Sequence, residues 1–322
     1  MFSWFNPWRR RRTALICFGK IPSDAEFLRY GTWNDAAVEL QRWLEKASEY
    51  AATRHKDTWK LLDSQSPLRF LFRCTQQDTA LAGVVIPSSD TLGRAFPLML
   101  AAEISVRHAG RWAHTLPIAL QPFFDQAAQM ISRIHAASDL KDADEWLRDL
   151  QLSTLERLQD HEQPYEDWAC GQPLHALLHR LLGSQGESML HTLFEATDPF
   201  RNVEAPSTNL SLLVPLQAPE DLTLCFWLHV LRCAYGWKKT VPGFFAHGQS
   251  ALIPLGATAS PSVLIDCWLP DQPSQYVCSA STDTSKYSTT LPDRIRELLD
   301  THNATAFQLA SRFESCNRSH HP

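Results

Sequence analysis

The chain has 322 residues and a mass of 36.5 kDa, with 44% hydrophobic and 20% charged residues. That composition excludes a disordered tail, a collagen-like fibre and a coiled-coil rod. A net charge of −5 and a pI near 6.2 argue against a dedicated nucleic-acid binder, whose affinity rests on a basic excess. The 11 Trp and 16 Phe residues promise a large aromatic core.

Residues 1–12 read as an N-terminal extension that carries Arg9-Arg10-Arg11-Arg12. The run is either a solvated terminus or a contact for an acidic partner or an anionic surface. The apolar run from Ala14 to Phe18 stops at Gly19-Lys20, too soon for a secretory signal. No run approaches the roughly 18 apolar residues of a membrane-spanning helix. A cytoplasmic protein without stable membrane insertion is expected.

Thr13 to Phe18 predicts a short buried strand. Pro22-Ser23-Asp24 predicts a turn in which Ser23 or Asp24 caps the next helix. Trp33, Ala37, Leu40, Leu44, Ala47 and Ala51 recur at helical spacing. Leu68 to Cys74 alternates as a strand does. Ala80 to Ile86 and Pro97 to Ile104 predict two further strands, antiparallel because the connections are short. Leu120, Phe123, Phe124, Ala127, Ile131 and Ile134 mark an amphipathic helix, and a more acidic one follows at Asp142 to Leu150.

The stretch 151–173 is polar and reads as a linker or variable excursion. Beyond it, Leu174 to Leu182 predicts a helix, Leu210 to Leu216 a strand and Leu222 to Ala234 a buried helix. Gly243 to Ala246 and Ala251 to Leu255 predict a hairpin, and Pro261 opens a short helix through Trp268. Asp271 to Thr290 is a polar excursion. Leu291 to Phe313 predicts one closing amphipathic helix. Together these predict a mixed α/β (α+β) fold: a partly antiparallel sheet flanked by helices. Two lobes are expected, 13–150 and 174–322, meeting near 151–173.

Little of this carries recognisable catalytic chemistry. Gly19-Lys20 follows a strand, but Ala14 stands where a phosphate loop needs glycine, and Ile21 where it needs Ser or Thr. The eight cysteines show no C-x-x-C spacing. Cys17, Cys74, Cys225 and Cys267 sit in apolar runs as buried thiols of a reducing compartment. His175 and His179 stand four apart on a predicted helix without the glutamate of a zinc hydrolase site, and read as a solvated pair. No nucleophile elbow or kinase signature is present. We therefore assign no catalytic residue, no metal ligand and no cofactor.

The densest polar cluster is Asp90, Gly93 and Arg94. One reading is a turn in which Asp90 bonds its own backbone, Gly93 takes positive φ and Arg94 pairs with a carboxylate. The other places Lys20, Asp24, Arg29, Asp90 and Arg94 on one rim as a recognition surface.

Longer stretches carry a family resemblance. Cys17-Phe18-Gly19-Lys20-Ile21-Pro22-Ser23-Asp24-Ala25-Glu26-Phe27-Leu28-Arg29 resembles the opening of TagF, the accessory protein of bacterial type VI secretion systems. Ser66-Pro67-Leu68-Arg69-Phe70 is similar to the family's S-P-x-W-R-F segment, with Leu68 in place of the aromatic. Gly83 to Leu98, through Pro87-Ser88-Ser89-Asp90-Thr91-Leu92-Gly93-Arg94, is the most specific match. Pro242 to Gly248 and Ala251 to Gly256 resemble the family's C-terminal hairpin and terminal strand. Ala25-Glu26 replaces an expected Gly-Asp pair.

The resemblance implies regulation rather than catalysis: a cytoplasmic post-translational repressor that sequesters an apparatus component. Its implied partner is the forkhead-associated scaffold protein, with a functional link to a threonine kinase and phosphatase pathway. Lys20, Asp24, Arg29, Asp90, Gly93 and Arg94 would then serve partner binding, folding or both. The alternatives are an enzyme or ligand-binding protein that takes a phosphorylated or nucleotide substrate at Lys20, Asp90 and Arg94, and a structural subunit of the apparatus.

Overall fold

A computed structural model describes residues 14–54, 66–74, 78–107, 109–150, 152, 157–183, 190–191, 193, 207–235, 241–278 and 293–318. The Arg9–Arg12 run lies outside the described residues. The first half builds β1 (Leu15–Gly19), β2 (Leu28–Gly31), α1 (Asp35–Arg54), β3 (Leu68–Arg73), β4 (Thr79–Ile86) and β5 (Leu98–Ser105). A 3-10 turn at Gly110–Thr115 leads into α2 (Leu116–Ala119), α3 (Gln121–His135) and α4 (Leu140–Asp149). Then come α5 (Glu162–Gly171), α6 (Leu174–Leu182), β6 (Ser211–Pro215), α7 (Glu220–Tyr235), β7 (Phe244–His247) and β8 (Ser250–Pro254). The chain closes with α8 (Val263–Trp268), β9 (Val277–Cys278), α9 (Asp293–Leu299) and α10 (Ala306–Arg318).

The nine strands form one sheet in the order β2-β1-β5-β4-β3-β7-β8-β6-β9, antiparallel at every pairing except β6 with β9. Both faces are covered, so β4 and β5 read as nearly continuous apolar runs rather than alternating ones. The two-residue period still sorts their side chains. Ile16, Phe18, Phe70, Phe72, Met99 and Phe245 face one layer with α1 and α8. Cys17, Leu71, Leu98, Leu100 and Phe244 face the other, with α3, α5, α6 and α7.

The two halves share this sheet. Phe70 of β3 pairs with Phe245 of β7, and Arg69 Nη1 lies 2.8 Å from Asp221 Oδ1 at the start of α7. Within 151–173, read as a linker or variable excursion, residues 157–173 hold a 3-10 turn and α5. Polar faces hid that helix, but Tyr165 and Ala169 are buried in the core.

Two expectations are corrected. Neither Ser23 nor Asp24 caps a helix, because the strand β2 follows them. The cap of α1 is Asn34, whose Oδ1 accepts from the Ala37 amide at 3.0 Å. The closing helix is two helices, α9 and α10. The chain breaks at Thr305, where an isolated bridge to Pro173 and a reciprocal cap restart it. Gln308 Oε1 accepts from the Thr305 amide at 2.9 Å, and Thr305 Oγ1 from the Gln308 amide at 3.3 Å. Of the polar excursion, 271–278 is anchored through Ser274, whose amide and hydroxyl donate to Asp266 at 2.7 and 2.8 Å. Residues 279–292 lie outside the described residues. Cys17, Cys74, Cys225 and Cys267 are buried free thiols, as expected.

The larger layer encloses a polar knot. The Tyr165 hydroxyl lies 2.9 Å from His229 Nδ1. The His229 ring stacks on His114 with centroids 4.4 Å apart. Burial first, then His114 and Arg232, push His229 well below the ordinary histidine value.

Candidate functional site

The N-terminal end of the sheet brings two loops together. One leaves β1 at Gly19 and runs through Lys20 and the Pro22-Ser23-Asp24 turn to Phe27 and β2. The other leaves β4 at Ile86 and returns to β5 through Asp90 and Arg94. In the second loop Asp90 organises the turn. Its Oδ1 accepts from the amides of Leu92 at 3.0 Å and Arg94 at 2.8 Å, and its Oδ2 from Arg94 Nε at 2.7 Å. Gly93 takes φ +73°, a left-handed conformation that glycine adopts without steric cost.

Lys20 ties the loops together. Its ammonium donates to Asp90 Oδ2, and both side chains are buried, at 5% and 0% exposure. Ser88 Oγ donates to the Lys20 carbonyl at 2.7 Å, Arg94 Nη2 to the Ala25 carbonyl at 2.9 Å and the Thr91 amide to the Asp24 carbonyl at 3.2 Å. Burial alone would raise the Asp90 pKa. The hydrogen bonds from Lys20, Arg94 and Leu92 outweigh it and hold the carboxyl well below its ordinary range.

Aromatic rings support the frame. Phe27 stacks on Phe18 at 5.3 Å and meets Phe96 edge-on at 5.0 Å. Lys20 Nζ sits 4.7 Å from the Phe27 centroid. The Arg29 guanidinium lies 4.2 Å over Trp33.

Of the six residues that the sequence singles out, Lys20, Asp24, Asp90, Gly93 and Arg94 meet in these two loops in different roles, while Arg29 lies on β2 with its guanidinium over Trp33. Lys20 and Asp90 form a brace that no partner touches without opening it. Gly93 permits the turn. Asp24 contributes its carbonyl to Thr91, and its Oδ1 accepts from the Glu26 amide at 2.9 Å. Arg29 is exposed, and the Arg94 side chain is 58% exposed.

The residues that sequence reasoning missed are apolar. Among the described residues the exposed large hydrophobics are Phe27, at 41%, and Leu92, at 69%. They stand on the two braced loops. A signal for both exists. Phe27 and Leu28 are consecutive at a strand, where a two-residue period buries only one, and Leu92 stands in a tight turn between Asp90 and Gly93. His175 and His179, by contrast, both face solvent on α6.

Among the described residues no helix is long and apolar enough to cross a membrane. Comparison with curated proteins returns no match. Among solved structures the chain is similar to the crystal structure of PA0076 from Pseudomonas aeruginosa PAO1, at 20% identity and a TM-score of 0.37. That alignment covers 45% of this chain and 66% of the other, just under two thirds of the solved protein. Residues 16–153 match the family model of the TagF N-terminal domain, type VI secretion system-associated. The matched segment contains both loops, from Lys20 to Arg94. Over residues 16–153 the chain therefore carries a TagF N-terminal domain, type VI secretion system-associated.

Proposed function

We propose that this protein is a non-enzymatic, cytoplasmic, post-translational repressor of a bacterial type VI secretion system, acting by binding and sequestering an apparatus component. The forkhead-associated scaffold is the expected partner, and the functional link is to the threonine kinase and phosphatase pathway. The observation that carries the binding role is the rim: Phe27 and Leu92 exposed on loops whose geometry is fixed by the buried Lys20–Asp90 pair. Apolar anchors flanked by arginines, on a rigid frame, are what interface energetics favour. Arg29 and Arg94 suit an acidic face on the partner.

The test is capture from native cytosol with tagged full-length protein, wild type and Leu92→Glu, read by quantitative mass spectrometry. The expected result is recovery of the scaffold, or of another secretion component, by the wild type and its loss with the variant. Recovery of no secretion component overturns the sequestration reading. Equal recovery by the variant removes the rim from it. A thermal-shift screen with nucleotides and phosphopeptides separates this reading from a ligand-binding one, which predicts a gain of about 2.7 kcal/mol at 100 times Kd.

A further inference from the structure

The strand β2 lies at one end of the sheet and pairs on one side only, with β1. The register fixes which of its backbone groups that pairing uses. The Ala14 carbonyl accepts from the Glu103 amide at 3.1 Å, directly across on the β5 side. Bonding alternates along an antiparallel strand, so Ala14, Ile16 and Phe18 turn to β5, and Leu15, Cys17 and Gly19 turn to β2. Cys17 stands opposite Tyr30, and Gly19 opposite Leu28. Leu28 and Tyr30 are therefore the residues bonded to β1. The Arg29 amide, the Arg29 carbonyl and the Gly31 amide point away from the sheet.

Among the described residues no backbone hydrogen bond reaches this outer side. Gly31 is exposed, and a residue without a side chain is exposed through its backbone. The helix α4 packs on the face that holds Leu28 and Tyr30 and leaves Arg29 and Gly31 exposed. The edge thus presents donor, acceptor and donor in a row, a pattern that an extended backbone complements.

Side chains decide which extended backbone fits. Phe27 and Arg29 stand two apart, on one face, and both are exposed. The Arg29 guanidinium stacks on Trp33 and is in no ion pair among the described residues. A second copy of this chain fits poorly. Laid antiparallel on itself, so short a strand sets the two Arg29 side chains directly opposite or one diagonal apart, where like charges repel. A strand with a carboxylate across from Arg29 and an apolar side chain across from Phe27 meets both.

We propose that the outer edge of β2 docks an extended segment of the partner protein, added to the sheet as a further strand, with a carboxylate beside Arg29 and an apolar side chain beside Phe27. The proposal rests on the rim as a partner-binding surface, since Phe27 and Arg29 belong to both, and adds the form of the bound segment.

The probe is acetylated, amidated Thr-Val-Thr-Glu-Thr-Val-Thr, whose side chains read the same in both directions and so suit a parallel or an antiparallel addition. It is titrated into 15N-labelled full-length protein, and the amide resonances of Arg29 and Gly31 and their hydrogen exchange are followed. The expected result is a saturable shift of both resonances and slower exchange of both amides. The probe should bind about fivefold more tightly than Thr-Val-Thr-Lys-Thr-Val-Thr, and Arg29→Glu should reverse that preference. An unchanged melting temperature shows that the variant is folded; if it is not, the wild-type titrations decide alone. Two further forms of the probe are N-methylated, one at its second, fourth and sixth residues, the other at its third and fifth. Successive amides of a strand point to opposite sides, so one form should lose binding and the other keep it. No saturable shift, equal binding of the Glu and Lys peptides, or an equal effect of the two methylations would each overturn the proposal. None of these outcomes touches capture of the partner by wild type and Leu92→Glu, so a wrong edge and a wrong rim are told apart.

Discussion

Lys20 and Asp90 stand 70 positions apart in sequence and form one ion pair inside the molecule. A buried pair of this kind is strongly sensitive to removal of one partner, because the other charge is left without compensation. Asp90→Asn keeps the shape and removes the charge. It is expected to lower the melting temperature at pH 7. The carboxyl gives up its proton at lower pH in the fold than in the unfolded chain. Its stabilisation is therefore fully present above the ordinary value of 3.8 and is lost as pH falls through and below it. The gap between wild type and variant should narrow over that window, and melting curves from pH 7 to pH 3 check it. Lys20→Met, combined with Asp90→Asn, should cost less than the sum of the two single changes.

Asn34 does two things at the start of α1. Its Oδ1 caps the Ala37 amide, and its Nδ2 donates to Glu103 on β5. Asn34→Ala is expected to cost about 1 kcal/mol in denaturant unfolding. Asn34→Asp keeps the capping oxygen but sets a second carboxylate against Glu103, so it should recover only part of the loss. Ser23→Ala should change stability by less than about 0.5 kcal/mol, because Ser23 Oγ has no hydrogen-bond partner among the described residues. A large effect at Ser23 with none at Asn34 would contradict the assignment of the cap.

These two cases mark how far the chain could be read. Strands such as Ala80 to Ile86 and helices such as Gln121–His135 were legible because an apolar run or stripe needs only local spacing to be recognised. The pairing of β3 with β7 was not, because the partners lie more than 170 positions apart and nothing local encodes it. The helix at Glu162–Gly171 escaped because its buried side is little more than Tyr165 and Ala169 amid polar residues. At the site, polarity and turn chemistry marked Asp90, Gly93 and Arg94. Only the fold separates buried Lys20 and Asp90 from exposed Arg94 and Leu92.

The His229 imidazole is held neutral by burial and by its neighbours. Its proton affinity is lower in the fold than in the unfolded chain. Its burial costs nothing above the ordinary histidine value of 6.5 and an increasing amount as pH falls below it. Wild type should thus lose melting temperature between pH 7.5 and pH 5. His229→Leu removes this proton and the Tyr165 hydrogen bond together. It should be less stable at pH 7.5 and show a flatter pH dependence. Tyr165→Phe removes the hydrogen bond alone and should keep the slope. An equally steep slope in His229→Leu would assign the acid sensitivity elsewhere.

The rim offers a substitution that separates binding from folding. Phe27 does not, because its ring is packed on Phe18 and Phe96, and truncation loosens the frame as well as the surface. Arg94 holds Asp90 and the Ala25 carbonyl, so it has the same defect. Leu92 is 69% exposed, and its amide, not its side chain, makes the bond to Asp90. Leu92→Ser should therefore leave stability within about 0.5 kcal/mol of wild type. If Leu92 is an anchor for a partner, the same change should weaken binding by more than about 1 kcal/mol, roughly fivefold or more in Kd. Arg29→Glu should act differently, slowing association and reversing part of its salt dependence, with a smaller effect on dissociation. Surface plasmon resonance against the captured partner, at two ionic strengths, reads both. Unchanged affinity in Leu92→Ser together with unchanged association in Arg29→Glu would mean that the braced loops face solvent rather than a partner.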